Sequence, residues 1–246
     1  MVQPRLRNAG TVQAHDLGCG TGSMARWLSA RLRGPQRWFL YDHDPALLDV
    51  AEKAPYGALD GSYVDVRTRR TDVSLVDETQ LSGADLVTAS ALLDVLTNAE
   101  LQRLVSVCAR ARCPMLFALN ANGRVELTPE DPLDSLINDA FNAHLRRSVG
   151  SERLLGSRAA TEVTNALTGR GFEVLAWPSP WWLGPDQGPL AREWFTGWLN
   201  AACEQRPDLI PPSGAYARRR ADQLAAGRLS VVVDHVDLLA LPPAAD

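Results

Sequence analysis

Lysine is all but missing from this chain: Lys53 is the single one among 25 lysines and arginines. We read the bias as compositional drift toward arginine, a residue that also suits anionic partners. Cysteine is scarce and unpatterned. Cys19, Cys108, Cys113 and Cys203 show no CxxC spacing and no pairing pattern, so neither a structural metal nor a disulfide framework is expected, and a reducing cytoplasm fits. Long hydrophobic runs are absent, which excludes a membrane span. The opening "MVQPRLRNAG" carries charge without an apolar stretch, so no secretory leader is expected. There is no excess of positive charge either. A net charge of −4 disfavours a protein whose main business is coating nucleic acid. With no repeat and no linker-like stretch, residues 1–246 are expected to form a single elaborated domain, long enough to bury a real core.

What is there is an alternation of apolar strand-like runs with helix-period segments, the signature of a parallel sheet covered on both faces. The strand candidates are "TVQAHDL" (11–17), "RWFLYD" (37–42), "SYVDVRT" (62–68), "ADLVTAS" (84–90), "PMLFALN" (114–120), "FEVLAW" (172–177) and "LSVVVDHV" (229–236). Between them, "SMARWLSARLR" sets Met24, Trp27, Leu28 and Leu32 on one helical stripe. Asp44 and Pro45 read as an N-cap and first helical residue. Thr97 and Glu100 have capping-box spacing ahead of Leu101, Leu104, Val105 and Cys108. "SRAATEVTNALTGRG" buries Ala160, Val163 and Leu167 and stops at glycine. Two stretches exceed this pattern, 121–156 and 178–228, and are expected to be insertions that cover the substrate.

The densest chemistry lies in "HDLGCGTGSMARWL" (15–28), where Gly18, Gly20 and Gly22 stand between an acid and a helix. A strand, a glycine-rich turn and a helix together offer bare amides at a positive helix end. In the dinucleotide fingerprint the glycines fall at positions one, three and six. Counted from Gly18, position six is Ser23, and the third glycine arrives one residue early. Asp16, just before the loop, would oppose a pyrophosphate but would help hold a cationic amino acid. Asp42 ends the second strand and is placed to accept both hydroxyls of a ribose. Asp72, followed by Val73, ends the third strand region and is placed for an adenine, with Asp65 as its rival because the end of that strand is uncertain.

In order, "HDLGCGTG", "YDHDPALLDVA", "TDVSL" and "ADLVTASALLD" resemble the successive motifs of class I S-adenosylmethionine-dependent methyltransferases. The resemblance spans roughly residues 12–177, and "LSVVVDHVDLLALP" resembles the family's closing strand. The wider chain, with "AFNAH" and "DHVDLLA", is similar to bacterial members of unassigned substrate. The resemblance implies an α/β, Rossmann-like, seven-stranded and mostly parallel sheet with an antiparallel last strand and helical insertions. It implies S-adenosyl-L-methionine as cofactor over the carboxyl ends of the first strands. Asp16 and the backbone of Gly18, Cys19, Gly20 and Gly22 would flank the methionine part, Asp42 would bind the ribose, and His43 would lie beside the adenine. Asp72 and Val73 would frame the adenine, and Ser90 would lie near the methionine. Family members commonly carry N-terminal helices over the cofactor, whereas the first strand here begins about ten residues from Met1.

The expected activity is methyl transfer to a small-molecule acceptor by in-line displacement, with positioning and exclusion of water supplying most of the rate. A hydroxyl acceptor would need a base. His144 and His235 are the candidates, although His144 falls in an apolar stripe and reads first as a packed side chain. Asp134, Asn138 and Asn142, at spacings of four, read as a solvated helix face, with a polar pocket wall as the alternative. "RRR" (218–220) turns through 200° of helix and reads as solvated too. Trp181, Trp182, Trp194 and Trp198 read as core, or as the lining of an apolar substrate cavity. The rival readings are a catalytically weak or inactive binding or scaffold protein on the same fold, and an NAD(P)-dependent oxidoreductase, which the glycine spacing disfavours. A nucleic-acid methyltransferase is disfavoured by the acidic balance.

Overall fold

The computed structural model describes residues 10–244. The expectations about a leader and an N-terminal cover rest on the opening segment, and residues 1–9 of it lie outside the described residues. In chain order the strands are β1 (Val12–Leu17), β2 (Gln36–Asp42), β3 (Val64–Arg70), β4 (Leu86–Ser90), β5 (Met115–Thr128), β6 (Ser148–Val149), β7 (Glu152–Arg153), β8 (Glu173–Pro178), β9 (Trp181–Leu183) and β10 (Ser230–Leu241). The helices are α1 (Ser23–Ser29), α2 (Pro45–Lys53), α3 (Asn98–Ala111), α4 (Asp134–Leu145), α5 (Ala159–Thr168), α6 (Gly188–Gln205) and α7 (Ile210–Ala225).

The main sheet runs β3-β2-β1-β4-β5-β10-β8. Its first five strands are mutually parallel, while β10 is antiparallel to both β5 and β8. The expected seven strands are all present, and β9 adds an eighth by pairing with β10. The central strands β1 and β4 are buried almost throughout, as strands covered on both faces must be. One face packs against α3 and α5 through Leu101, Leu104, Val105, Val163 and Leu167. The other packs against α1 and α2 through Met24, Ala25, Leu28, Leu48 and Ala51.

The helix starts follow their local chemistry. Asp44 accepts from the Ala46 amide at 2.8 Å, with Pro45 behind it. Thr97 and Glu100 close a reciprocal capping box at the head of α3. One stripe residue departs from expectation. Met24, Leu28 and Leu32 are buried, but Trp27 is 51% exposed and lies under the guanidinium of Arg31, 4.1 Å from the ring centroid. That stacking gives the ring a partner outside the core.

The insertions also differ from their expected outline. Residues 121–128 continue β5 rather than leaving the sheet, because "NANGRVELT" pairs with β10 through register shifts at Val233/His235 and Val236/Leu238. The resulting ribbon carries β9 and a second core. Leu127, Val231 and Val233 from the ribbon pack with Ile137 and Ala140 of α4, Phe195 and Trp198 of α6, and Tyr216 of α7. Burying such aromatic and aliphatic side chains stabilises by roughly 1.5–3 kcal/mol each.

Polar contacts lock this second core, and here two readings are corrected. Arg220, the last arginine of "RRR", is 1% exposed, and it grips Asp134 of α4 with Nη2 at 2.5 Å from each carboxylate oxygen. Tyr216 donates to the same carboxylate at 2.6 Å. Asn138 and Asn142 both donate to the Gly123 carbonyl, at 3.0 and 2.7 Å. Asp134, Asn138 and Asn142 therefore face α7 and β5 rather than solvent. Among the described residues no helix is long and apolar enough to cross a membrane.

Candidate functional site

β1 ends at Leu17 and α1 begins at Ser23; between them the chain makes a loop in which Gly18, Gly20 and Gly22 all take positive φ, at 64°, 54° and 77°. The three glycines answer three different demands. A Cβ on Gly18 would lie 2.9 Å from a methyl of Leu92, and one on Gly22 would fall on the Tyr56 hydroxyl. A Cβ on Gly20 would meet nothing within 4 Å. Two glycines thus let the protein close on itself, and the middle one leaves bare backbone facing open space.

Asp42, at the tip of β2, fastens this loop. Its carboxylate is buried, with Oδ2 accepting from the Gly20 amide at 2.8 Å and Oδ1 from the Asp44 amide at 3.0 Å. The Cys19 amide donates to the Tyr41 carbonyl at 2.9 Å, a second tie to β2. Each Asp42 oxygen keeps a further acceptor position, which is what a pair of ribose hydroxyls needs. His43 lies beside it, its Nδ1 3.4 Å from Asp42 Oδ1 and its ring largely in solvent.

Asp16 is fully buried one turn of chain before the loop. Thr88 of β4 donates to its Oδ1 at 2.7 Å, while Oδ2 is buried without a protein partner. Burial pushes its pKa up to about 7, Thr88 and the Ala25 backbone oppose the shift, and the Asp42 charge adds to it. An orphaned carboxylate oxygen beside an open, glycine-lined backbone fits a cationic amino acid group better than a pyrophosphate. The Cys19 thiol is buried, donates to the Gly20 carbonyl at 3.4 Å, and has its pKa raised by burial, so this loop member contributes its backbone.

The third strand separates the two rival acids. β3 ends at Arg70, so Asp65 lies at its amino end, paired with Arg37 and Arg67 at 3.1 Å, away from the strand tips that carry the loop. Asp72 lies past the carboxyl end, and the adjoining Thr71 amide donates to the Asp42 carbonyl at 2.9 Å. Asp72 Oδ1 accepts from both the amide and the hydroxyl of Ser74, which holds its pKa below the usual range. Val73 is half-buried against the sheet core.

Beside the loop lies a cavity of about 380 Å³. Ser23, Met24 and Trp27 of α1 form one wall, and Ser90 at the tip of β4 another; Leu119, Trp181 and Asp237 complete it. Two non-glycine residues at its edge, Ala91 and Leu119, hold φ of 52° and 55°. Such strain persists only where the surroundings enforce it, and it clusters at functional sites. At Leu119 the enforcing contact is an amide hydrogen bond of 2.9 Å to Asp237 Oδ1, which also accepts from the Ser179 hydroxyl at 2.7 Å. Asp237, Leu119 and Tyr56 were not singled out from sequence, and Trp27 was read only as a member of the α1 stripe.

The two histidines part company. His144 sits on α4 beside α6, 3.9 Å from Glu204, with its pKa lowered by burial and by Arg147, in the second core rather than at the loop. His235 lies within β10 and packs against Trp181 of the cavity wall in a tilted arrangement, ring centroids 5.2 Å apart. Its Nδ1 is 3.0 Å from the Val233 carbonyl, so Nδ1 carries the proton and Nε2 the lone pair. Burial lowers its pKa, and the Asp237, Asp94 and Asp234 charges oppose that shift. Among the described residues no group of three or more His, Cys, Asp or Glu is placed to hold a metal ion.

Residues 14–114 match the family model described as a methyltransferase domain. The structure is similar to the YcgJ protein from Bacillus subtilis, at 15% identity, a TM-score of 0.51, and coverage of 98% of this chain and 95% of that one. It is similar to geranyl diphosphate C-methyltransferase from Streptomyces coelicolor, solved with S-adenosyl-L-homocysteine, at 17% identity, TM-score 0.50, covering 98% and 76%. The cyclopropane synthase MmaA2 from Mycobacterium tuberculosis follows at 10% identity, TM-score 0.50, covering 96% and 80%. No curated protein matches the chain. The match to a methyltransferase domain covers the loop and the first strands, and the sheet as a whole has the fold of these similar structures.

Proposed function

We propose that this class I methyltransferase domain holds S-adenosylmethionine across the tips of β1, β2 and β4 and methylates a small-molecule acceptor in the cavity beside Ser90. When bound, the cofactor supplies a methyl group on a positively charged sulfur. Asp16 and the Gly18–Gly22 backbone would flank its methionine part, with Ser90 on the far side. Asp42 would take the ribose hydroxyls, and His43, Asp72 and Val73 would border the adenine.

The observation that supports this reading most is that the 380 Å³ cavity starts at Ser23, the residue that follows the loop. Its lining runs from Ser23 and Ser90, at the methionine end, to Trp181 and Asp237. The volume suits a small molecule, and the lining is mainly apolar with one carboxylate. Asp237 Oδ1 is held by Leu119 and Ser179, and among the described residues no partner engages its second oxygen. That oxygen would accept a hydrogen bond from the acceptor and orient it. Where the acceptor is a hydroxyl, His235 is the better placed base. Trp27 and Trp181 would exclude water. The insertions and the sheet are read as one elaborated domain, and four cysteines without a disulfide among the described residues suit a reducing cytoplasm.

Calorimetric titration with S-adenosylhomocysteine tests the site. The chain should bind one equivalent, and Asp42→Arg should abolish it. Unchanged affinity in that variant would sink the assignment.

A further inference from the structure

A separate concavity of about 850 Å³ lies elsewhere, beneath the β6–β7 hairpin. Its walls come from five separate pieces of chain: the end of α4, the hairpin, the turn before α5, the first residue of α3, Asn98, and the last of α6, Gln205. Each of the first three brings arginine. Arg146 and Arg147 follow α4, Arg153 ends the hairpin, and Arg158 precedes α5; Glu152 is the one carboxylate in the lining. In a chain of net charge −4, four guanidiniums converging against one carboxylate run counter to the overall balance.

Little within the protein neutralises them. Arg146 Nε and Arg147 Nη1 donate to backbone carbonyls, of Asn142 at 3.3 Å and His144 at 3.2 Å. Arg153 has no ion pair among the described residues. Arg158 alone has a carboxylate partner, Glu162 at 3.1 Å, on the exposed face of α5.

The cage is also fixed in place. Gly156 takes φ of 52°, and a Cβ there would lie 2.8 Å from Arg146 Cγ and 3.1 Å from the Leu145 carbonyl. The Leu154 amide donates to the Arg147 carbonyl at 3.1 Å, and the Leu155 amide to the Leu96 carbonyl at 2.9 Å. The arginine-bearing end of α4, the hairpin and the head of α3 are thereby tied together before any ligand arrives.

We infer that this concavity is an anion site, separate from the cofactor cleft, that takes a small ligand through a phosphate or diphosphate group. Planar guanidiniums match phosphoryl oxygens in paired hydrogen bonds, and several focused on one concavity raise the local potential. A nucleic-acid backbone would instead want the charges spread along a surface.

The test is calorimetric titration of the full chain, saturated with S-adenosylhomocysteine at physiological salt, using phosphate, pyrophosphate and phenyl phosphate. One pyrophosphate should bind, without displacing S-adenosylhomocysteine. Tighter binding of phenyl phosphate than of phosphate would identify an organic ester as the ligand, and the reverse a free ion. Arg153→Gln and Arg147→Gln should each weaken binding by about tenfold or more. Arg153 sits on an exposed hairpin, so its variant stands alone if Arg147→Gln does not fold. No heat at millimolar anion would overturn the inference. So would affinity indifferent to both variants, competition with S-adenosylhomocysteine, or binding of RNA in place of pyrophosphate.

Discussion

His15 and Asp16 are consecutive residues of β1 whose buried side chains project to opposite faces of the sheet, and burial drives their proton affinities apart. His15 stacks on Phe39 and Tyr41 on one face, with its pKa pulled down to about 4; Asp16 meets Thr88 on the other, with its pKa pushed up to about 7. Unperturbed values are 6.5 and 3.8. Between roughly pH 4 and 6.5 the folded chain therefore carries a proton on Asp16 and none on His15, and the unfolded chain the reverse.

The two linkage terms have opposite signs. The His15 term makes stability rise with pH across 4–6.5, because the unfolded state binds the extra proton; the Asp16 term makes it fall across 3.8–7. Each is of order 3 kcal/mol, so they largely offset. Asp16→Asn should unmask the His15 term, giving a melting temperature that climbs from pH 4 to 6.5 more steeply than in the parent. His15→Gln should tilt the profile the other way. Melts across that range decide it, and parallel profiles for all three proteins would refute the coupling.

Gly22 and Tyr56 form a second testable pair. Gly22→Ala puts a methyl on the Tyr56 hydroxyl at a positive φ, for an expected loss of about 1–3 kcal/mol. Tyr56→Phe alone removes the 2.8 Å bond to the Ala51 carbonyl and should cost about 1 kcal/mol. Combined, the two should cost less than their sum, and urea denaturation of the four-member cycle measures the difference.

Gly20→Ala should behave differently, since its Cβ has room. Stability should fall only by the left-handed strain of about 1–2 kcal/mol. Affinity for S-adenosylhomocysteine should drop at least tenfold, because the methyl would occupy the backbone face proposed above for the cofactor. A stability loss without an affinity loss would remove Gly20 from the site.

Arg220→Ala strands Asp134 in a poorly solvated site with the Tyr216 hydroxyl and the Asp131 amide as its remaining partners, and should cost about 3–5 kcal/mol. Arg220→Met paired with Asp134→Leu should recover most of that loss, as apolar replacements of buried ion pairs commonly do. Equilibrium denaturation checks both.

Much of this was legible in the chain before folding. The glycine loop, the acid at the end of β2 and the caps on α2 and α3 are local features, dictated by residues within a few positions of one another. What escaped was non-local. Arg220 is one of three consecutive arginines and only its partner on α4, 86 positions away, marks it as buried. "NANGR" has turn composition, yet β10 recruits it into a strand. Trp27 fits the periodicity of a core stripe, and only the position of Arg31 over its ring and the cavity beside it show that it faces outward. Asp65 and Asp72 could not be ranked until the sheet fixed where β3 stops.

The position of β10 has a consequence for biosynthesis. The penultimate place in the sheet is filled by a segment that leaves the ribosome after every other strand of that sheet among the described residues. Until it docks, β5 and β8 each present an open seam of amides and carbonyls, and the aromatic layer around Trp198 lacks its floor. A ribosome stalled ahead of Ser230 would therefore hold a half-zipped molecule prone to pairing with its neighbours, and the nascent chain should need chaperone shielding until β10 emerges.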